Sequence, residues 1–191
     1  EECRRIALAK PEEKIITHIS NFRPVKRVED VINIFYRVQK EIPSKLLMIG
    51  EGPERAKAEA LTKKLNLRKK VFFLGNSTEI DKILCYSDVF LLPSKTESFG
   101  LAALEAMAAK TAVISTNTGG LPEVNIHGKT GYLSNLGDVD DMAKNTLKIL
   151  QDDSILNKFK ENAKAHTKMF SLDNILPIYE EIYTSCYKSI L

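Results

Sequence analysis

What the sequence lacks narrows the field first. Its 191 residues contain no apolar run approaching the ~18 residues of a membrane span, and no signal peptide is expected at its start. Cys3, Cys85 and Cys186 are odd in number, far apart and without a CxxC pair. A disulfide framework is therefore not expected, and a reduced, cytoplasmic setting is. No charge sign dominates: 28 Lys and Arg stand against 25 Asp and Glu, for a net of +3, and the cations are spread among the acids. That argues against the concentrated basic surface of a general nucleic-acid binder. The longest basic cluster, Arg68-Lys69-Lys70, is expected to cap a helix end. His127 and His166 share no metal-ligand spacing with each other or with a cysteine, so no metal site is expected. Internal repeats and low-complexity linkers are missing too.

What is present is an ordinary folding composition, 43% hydrophobic and 28% charged, arranged in a repeating order. A short apolar run is followed by a loop and then by an amphipathic helix. Lys14–Ser20 reads as the first strand. A helix is expected over Val28–Glu41, with Val28, Val31, Ile32, Ile34, Phe35 and Val38 on one stripe. Lys45–Ile49, Val71–Leu74, Asp88–Leu92, Ala112–Thr116 and Gly131–Leu133 read as further strands. Between them lie helices from Pro53 to about Leu65, from a cap at Thr78 to about Tyr86, and over Phe99–Ala109. Asp138 should cap another helix, running to about Gln151. Strands that read as continuous apolar runs are buried on both faces, and their alternation with helices implies a parallel sheet. The expected fold is α/β, a doubly wound Rossmann-like parallel sheet. The tail is helical only, over Ile155–Met169 and from Asn174 onward.

In such a sheet ligands bind beyond the carboxyl ends of the strands, near the topological switch point. The loop after the first strand, Asn21-Phe22-Arg23-Pro24-Val25-Lys26-Arg27, has three cations where a dinucleotide-binding domain has glycines. It suits a diphosphate or is a solvated basic loop. Gly50-Glu51-Gly52-Pro53 and Leu74-Gly75-Asn76 are turns on the same rim, each weak alone. The strongest loop is Pro93-Ser94-Lys95-Thr96-Glu97-Ser98-Phe99-Gly100-Leu101. Gly100 at a loop-to-helix junction leaves backbone N–H groups free to face an anion. Glu105 follows on the first turns of that helix, among small and apolar neighbours. It is either an exposed helical glutamate or a partner for a sugar hydroxyl. Thr118-Gly119-Gly120 presses its backbone against another loop or a ligand, and Gly128–Gly131 reads as a structural turn. His18, inside a strand, reads as a satisfied core or rim histidine.

Taken in order, these segments resemble the C-terminal domain of family-4, GT-B-fold retaining glycosyltransferases. The resemblance rests on Glu97-Ser98-Phe99-Gly100 with Glu105 eight residues after Glu97, then Glu105-Ala106-Met107-Ala108. It continues through Gly119-Gly120-Leu121-Pro122-Glu123 and Gly128-Lys129-Thr130-Gly131, with the Gly50 and Gly75 turns in the right places. It covers about residues 14–150. The resemblance implies that Glu105 holds the ribose hydroxyls of a nucleotide sugar. Glu97, Ser98 and the backbone around Phe99, Gly100 and Leu101 would contact the donor sugar. Arg23 and Lys26 would grip the diphosphate and stabilise charge on the leaving nucleotide, the turn at Gly75-Asn76 would lie near the base, and Gly50 would belong to the same nucleotide-sugar site. Catalysis would thus fall to Arg23, Lys26 and Glu97. Many members carry an Arg five residues before the Lys. Here Asn21 stands there, so that Arg23 substitutes from a neighbouring point or the diphosphate grip differs. A helix-terminating Gly after the Glu-Ala-Met-Ala motif is also replaced, by Lys110 or its neighbours.

Within the family, Ser20–Arg27 and Thr116–Gly120 resemble the subgroup that makes N-acetylglucosaminyl-malate for bacillithiol biosynthesis. UDP-N-acetylglucosamine as donor and L-malate as acceptor are what this implies, with no cofactor. The domain organisation that follows is a linker over residues 1–13, a nucleotide-sugar-binding domain over 14–152, and C-terminal helices over 153–191. Those helices would pack back towards an N-terminal domain that binds the acceptor. The opening Glu1-Glu2-Cys3-Arg4-Arg5, without an initiator Met, fits a start within a longer protein. Apolar residues of the last helix would otherwise drive self-association into a homo-oligomer. Three rival readings are a non-catalytic nucleotide-binding module, a glycosidase using Glu97 and Glu105, and a dinucleotide oxidoreductase. The basic first loop disfavours the last. A fully helical spacing would hold the two carboxylates ~12 Å apart, beyond glycosidase pairs.

Overall fold

The computed structural model describes residues 9–188. Six strands form one sheet in the order β3-β2-β1-β4-β5-β6. They are β1 (Lys14–Ile19), β2 (Ser44–Ile49), β3 (Val71–Gly75), β4 (Val89–Leu92), β5 (Ala112–Thr116) and β6 (Gly131–Ser134). Every pairing is parallel. The chain runs outward from β1 to β3, returns to β4 beside β1, and runs outward again to β6. The switch point therefore lies between β1 and β4, as in a doubly wound sheet.

Both faces of the sheet are covered, which explains strands without polar alternation. Along β4, Val89 and Leu91 join one core with α1 (Val28–Glu41) and α6 (Val139–Leu150), while Phe90 and Leu92 join the opposite core with α4 (Leu101–Ala108). Along β5, Ala112 and Ile114 face the first core and Val113 the second. The six residues expected on the α1 stripe are all buried. Asp138 caps α6 as expected, accepting from the Asp141 N–H at 2.9 Å.

Several boundaries differ. The helix placed after Thr78 is α3 (Ile80–Tyr86); its cap position is Glu79, and Thr78 makes no capping bond. The helix expected from Phe99 is α4, which starts at Leu101 because Gly100 holds φ at 95° and turns the chain into it. Arg68-Lys69-Lys70 do not cap a helix: α2 (Arg55–Lys64) ends earlier and carries Lys63 and Lys64 in its own last turn. A short helix, α5 (Leu121–Val124), was not legible in the sequence. The helix α7 (Asp153–Thr167) starts two residues before the expected Ile155. Asp152 caps it through the Ser154 and Ile155 N–H groups, so a polar run that reads as loop is a helix start. A 3-10 turn, Lys168–Phe170, leads into α8 (Leu172–Lys188). Cys85, on α3, is disulfide-bonded, which corrects the expectation of reduced thiols throughout. Cys3 lies outside the described residues. Among those described, no helix is long and apolar enough to cross a membrane, and no cluster of His, Cys, Asp or Glu could hold a metal ion.

Candidate functional site

The loops at the carboxyl ends of the strands are built on one another. After β1, Ser20 leads into a tight turn in which Phe22 adopts φ 40° with its ring wholly buried. A non-glycine residue in that region is strained, and burial of the ring holds it there. The Phe22 carbonyl accepts from the Glu54 N–H at 2.9 Å, joining this loop to the one after β2. Gly50 makes the same junction closer still: a Cβ there would lie 1.8 Å from the Ser20 carbonyl oxygen, and φ is 120°. No side chain fits, so this glycine serves loop packing as well as any ligand.

His18 anchors the start of the basic loop. It is fully buried on β1, stacked near Phe22 and Phe90. Burial pushes its imidazole down to about 4; the charge of Lys26 adds to this, and the Leu91 carbonyl and Glu97 oppose it. A neutral ring fits both of its bonds. Nδ1–H donates to the Leu91 carbonyl at 2.9 Å, and Nε2 accepts from the Ser20 hydroxyl at 2.7 Å. The Ser20 oxygen in turn accepts from the Phe22 N–H at 3.3 Å. The satisfied rim histidine expected from the sequence is therefore found, with a specific task.

Across the switch point the basic loop meets the loop after β4. Lys26, at the end of a 3-10 turn (Pro24–Lys26), donates to Glu97 Oε1 at 2.5 Å, with the two side chains 20% and 13% exposed. The Lys95 N–H donates to the Val25 carbonyl at 2.8 Å. The Gly119-Gly120 turn after β5 presses on the far side of Glu97. The Gly120 N–H donates to the Glu97 carbonyl at 3.0 Å, and a Cβ on Gly119 would lie 1.9 Å from that oxygen. Of the two roles expected for this turn, the structure shows contact with another loop. Arg23 is exposed, and among the described residues it makes no ion pair.

Two cavities open along the same rim. One, of about 490 Å³, is lined by residues of the first three strand ends, including Ser20, Asn21, Gly50, Glu51, Asn76 and Ile80. The other, of about 630 Å³, lies between α3 and α4 and includes Thr78, Ile80, Asp81, Ala108 and Glu105 in its wall. Ile80 lines both, so the two cavities adjoin at that side chain. Glu105 is exposed on α4, and its carboxylate makes no hydrogen bond among the described residues. Its carboxylate is thus open to a ligand in that cavity. Gly75 is not on either wall; its carbonyl accepts from the Gly50 N–H at 2.8 Å. Ser98, Phe99 and Leu101 are exposed at the start of α4, whose first N–H groups have no intrahelical partner.

The structure therefore brings Lys26 and Glu97 together directly, and sets Gly50 and Asn76 in one cavity and Glu105 in the adjoining one. The Arg23 carbonyl accepts from the Lys26 N–H at 2.8 Å while its guanidinium makes no ion pair among the described residues, and Gly75 braces Gly50 through its carbonyl. Sequence reasoning missed Thr78, Ile80 and Asp81 as cavity residues. The only signal was their position after a strand end, which every loop residue shares.

The family model described as "Glycosyl transferases group 1" matches residues 1–166. The chain belongs to the group 1 glycosyl transferases. Within this family it is 42% identical over 172 residues to the N-acetyl-alpha-D-glucosaminyl L-malate synthase of Bacillus anthracis, which spans 90% of this chain and 45% of that protein. It is 31% identical over 159 residues to the 2-deoxystreptamine N-acetyl-D-glucosaminyltransferase of Niallia circulans, 79% of this chain and 41% of that one. A crystal structure of an S. aureus TarM mutant in complex with fondaparinux, α-GlcNAc-glycerol and UDP superposes with a TM-score of 0.84. Identity is 28%, over 90% of this chain and 36% of TarM. The chain thus spans less than half the length of each of these group 1 relatives.

Proposed function

We propose that this chain is the donor-binding half of a retaining glycosyltransferase that moves a sugar from UDP-N-acetylglucosamine to the hydroxyl of L-malate. One observation carries the reading: the strand-end rim that holds the Lys26–Glu97 pair at the switch point also carries two adjoining cavities, one reaching Asn21 of the basic loop and the other the Glu105 carboxylate. That order suits a molecule with a neutral diol at one end and a diphosphate followed by a sugar at the other. The choice of donor sugar and acceptor draws on the similarity to the B. anthracis synthase.

In this reading Glu105 accepts from the ribose hydroxyls, and the backbone at Gly50 and Asn76 lies along the nucleotide. Lys26 and Arg23 face the diphosphate. As the bond between the anomeric carbon and the phosphate oxygen breaks, negative charge grows on the departing UDP, where these cations stabilise it most. Glu97 holds Lys26 before the donor arrives and accepts from a sugar hydroxyl afterwards. The acceptor oxygen bonds to the anomeric carbon on the face the nucleotide leaves and gives its proton to the departing phosphate oxygen of UDP. The acceptor sits on a companion domain outside this sequence, and α8 packs against that domain. No metal or further cofactor is required.

The test is transfer by the parent enzyme with UDP-N-acetylglucosamine and L-malate, the anomeric configuration being read by NMR. Retained configuration is expected, with Lys26→Ala lowering kcat by about 100-fold. Transfer to another acceptor but not to malate would overturn the substrate assignment. Binding of UDP without transfer to any acceptor would favour a non-catalytic module.

A further inference from the structure

The donor-facing loop is gripped from two sides. On one side the Gly119-Gly120 turn lies against its backbone, with a Cβ on Gly120 only 2.4 Å from the Ser98 carbonyl oxygen. On the other side the handle is the Phe99 ring, which meets the Phe170 ring edge-to-face, centroids 5.6 Å apart at 74°. Phe170 ends the 3-10 turn between α7 and α8 and packs partly buried against the core under α4. His166, four residues earlier on α7, stands edge-on to the same ring at 5.5 Å. Its Nε2 is buried without a hydrogen-bond partner among the described residues, so packing on Phe170 holds the imidazole in place.

The junction beyond Phe170 is closely tied. Lys168 O accepts from the Ser171 N–H at 3.2 Å and from Asn174 Nδ2 at 2.6 Å. Ser171 O accepts from the Asn174 and Ile175 N–H groups, both at 3.0 Å. The first turn of α8 and the 3-10 turn are thus joined by four hydrogen bonds, next to the ring that meets Phe99.

We propose that Phe170 is a positioning residue, whose ring fixes Phe99 and through it the Glu97–Leu101 backbone, so that the placement of α8 is transmitted to the donor-sugar loop. The functional part of this rests on the reading of that loop as the donor-sugar contact; the mechanical part does not. An edge-to-face aromatic pair contributes beyond the area it buries. Leucine at position 170 fills much of the volume without a ring, whereas tyrosine keeps the ring.

The experiment is amide hydrogen exchange on the ligand-free chain with Phe170→Leu and Phe170→Tyr. The reporters are the Gly120 N–H, bonded to Glu97 O, and the Ala103 and Leu104 N–H groups, bonded to Gly100 O. Phe170→Leu is expected to speed their exchange by about 3- to 10-fold while amides of β1 and β2 keep their rates, and Phe170→Tyr is expected to restore wild-type exchange. Unchanged reporters in Phe170→Leu, or equal acceleration across β1 and β2, would overturn the proposal. Calorimetry adds the functional readout: Phe170→Leu should weaken UDP-N-acetylglucosamine by about threefold or more and leave UDP unaffected. Should the wild-type chain bind neither, the proposed function fails, and the exchange rates still decide the role of Phe170.

Discussion

At the β1–β4 switch point most named polar groups are paired, His18 with Leu91 and Ser20, Lys26 with Glu97, and the Glu97 carbonyl with Gly120, while the buried Ser94 hydroxyl has no partner among the described residues. On α8, by contrast, seven large apolar side chains, Leu172, Leu176, Ile178, Tyr179, Ile182, Tyr183 and Tyr187, are between 47% and 73% exposed. The first region is held together by contacts within the chain. The second has an apolar surface of the kind that marks a contact with something else. Substitutions should therefore act oppositely in the two places: on folding at the switch point, and on association at α8.

The largest effect is expected from Gly119→Ala. The new Cβ meets the Glu97 carbonyl at 1.9 Å, on backbone with φ 57°, so the loop must move. A loss of about 3–4 kcal/mol in urea unfolding is expected; a loss below about 1 kcal/mol would show that the two loops are not packed so tightly.

Next comes acid sensitivity. His18 has its imidazole held at about 4 in the fold, against 6.5 when unfolded. The unfolded chain thus takes up its proton first as pH falls. The stability gained by keeping the ring neutral is complete above pH 6.5 and drains away between 6.5 and 4, amounting to about 3 kcal/mol. The fall in unfolding free energy across that window should be shallower by this amount in His18→Gln than in the wild type. Equal slopes would mean that His18 titrates normally and does not lock the loop.

The smallest effect on folding belongs to α8. Tyr183→Glu should change stability by less than about 0.5 kcal/mol, because the side chain is 72% exposed. Sedimentation should show reduced self-association. A marked loss of stability would mean that α8 packs on the body of this chain after all, and the contrast between the regions would disappear.

Much of this was readable beforehand. The α1 stripe and β5 fell where periodicity placed them, because both are buried in the single way that their pattern specifies. Helix starts were less legible. Thr78 has a capping side chain that goes unused, and the true start of α7 hides in Asp152-Asp153-Ser154, because caps depend on backbone geometry that residue type only permits. Within the site, Glu97, Lys26 and Glu105 stood out by residue type and order. The links that hold them did not: His18 to Ser20, Gly119 to Glu97 and Phe170 to Phe99 join residues from 2 to 71 positions apart, and no local spacing predicts them. The disulfide at Cys85 escaped for the same reason.

Calorimetric titration of this chain with UDP, GDP and NAD, repeated with Glu105→Ala, tests the central claim most directly. The donor-site reading predicts saturable binding of UDP, weaker binding of GDP and none of NAD. Glu105→Ala should weaken UDP by about 10-fold, as expected for lost hydrogen bonds to a charged group, without lowering the melting temperature. Binding of NAD, or UDP binding indifferent to Glu105, would contradict it.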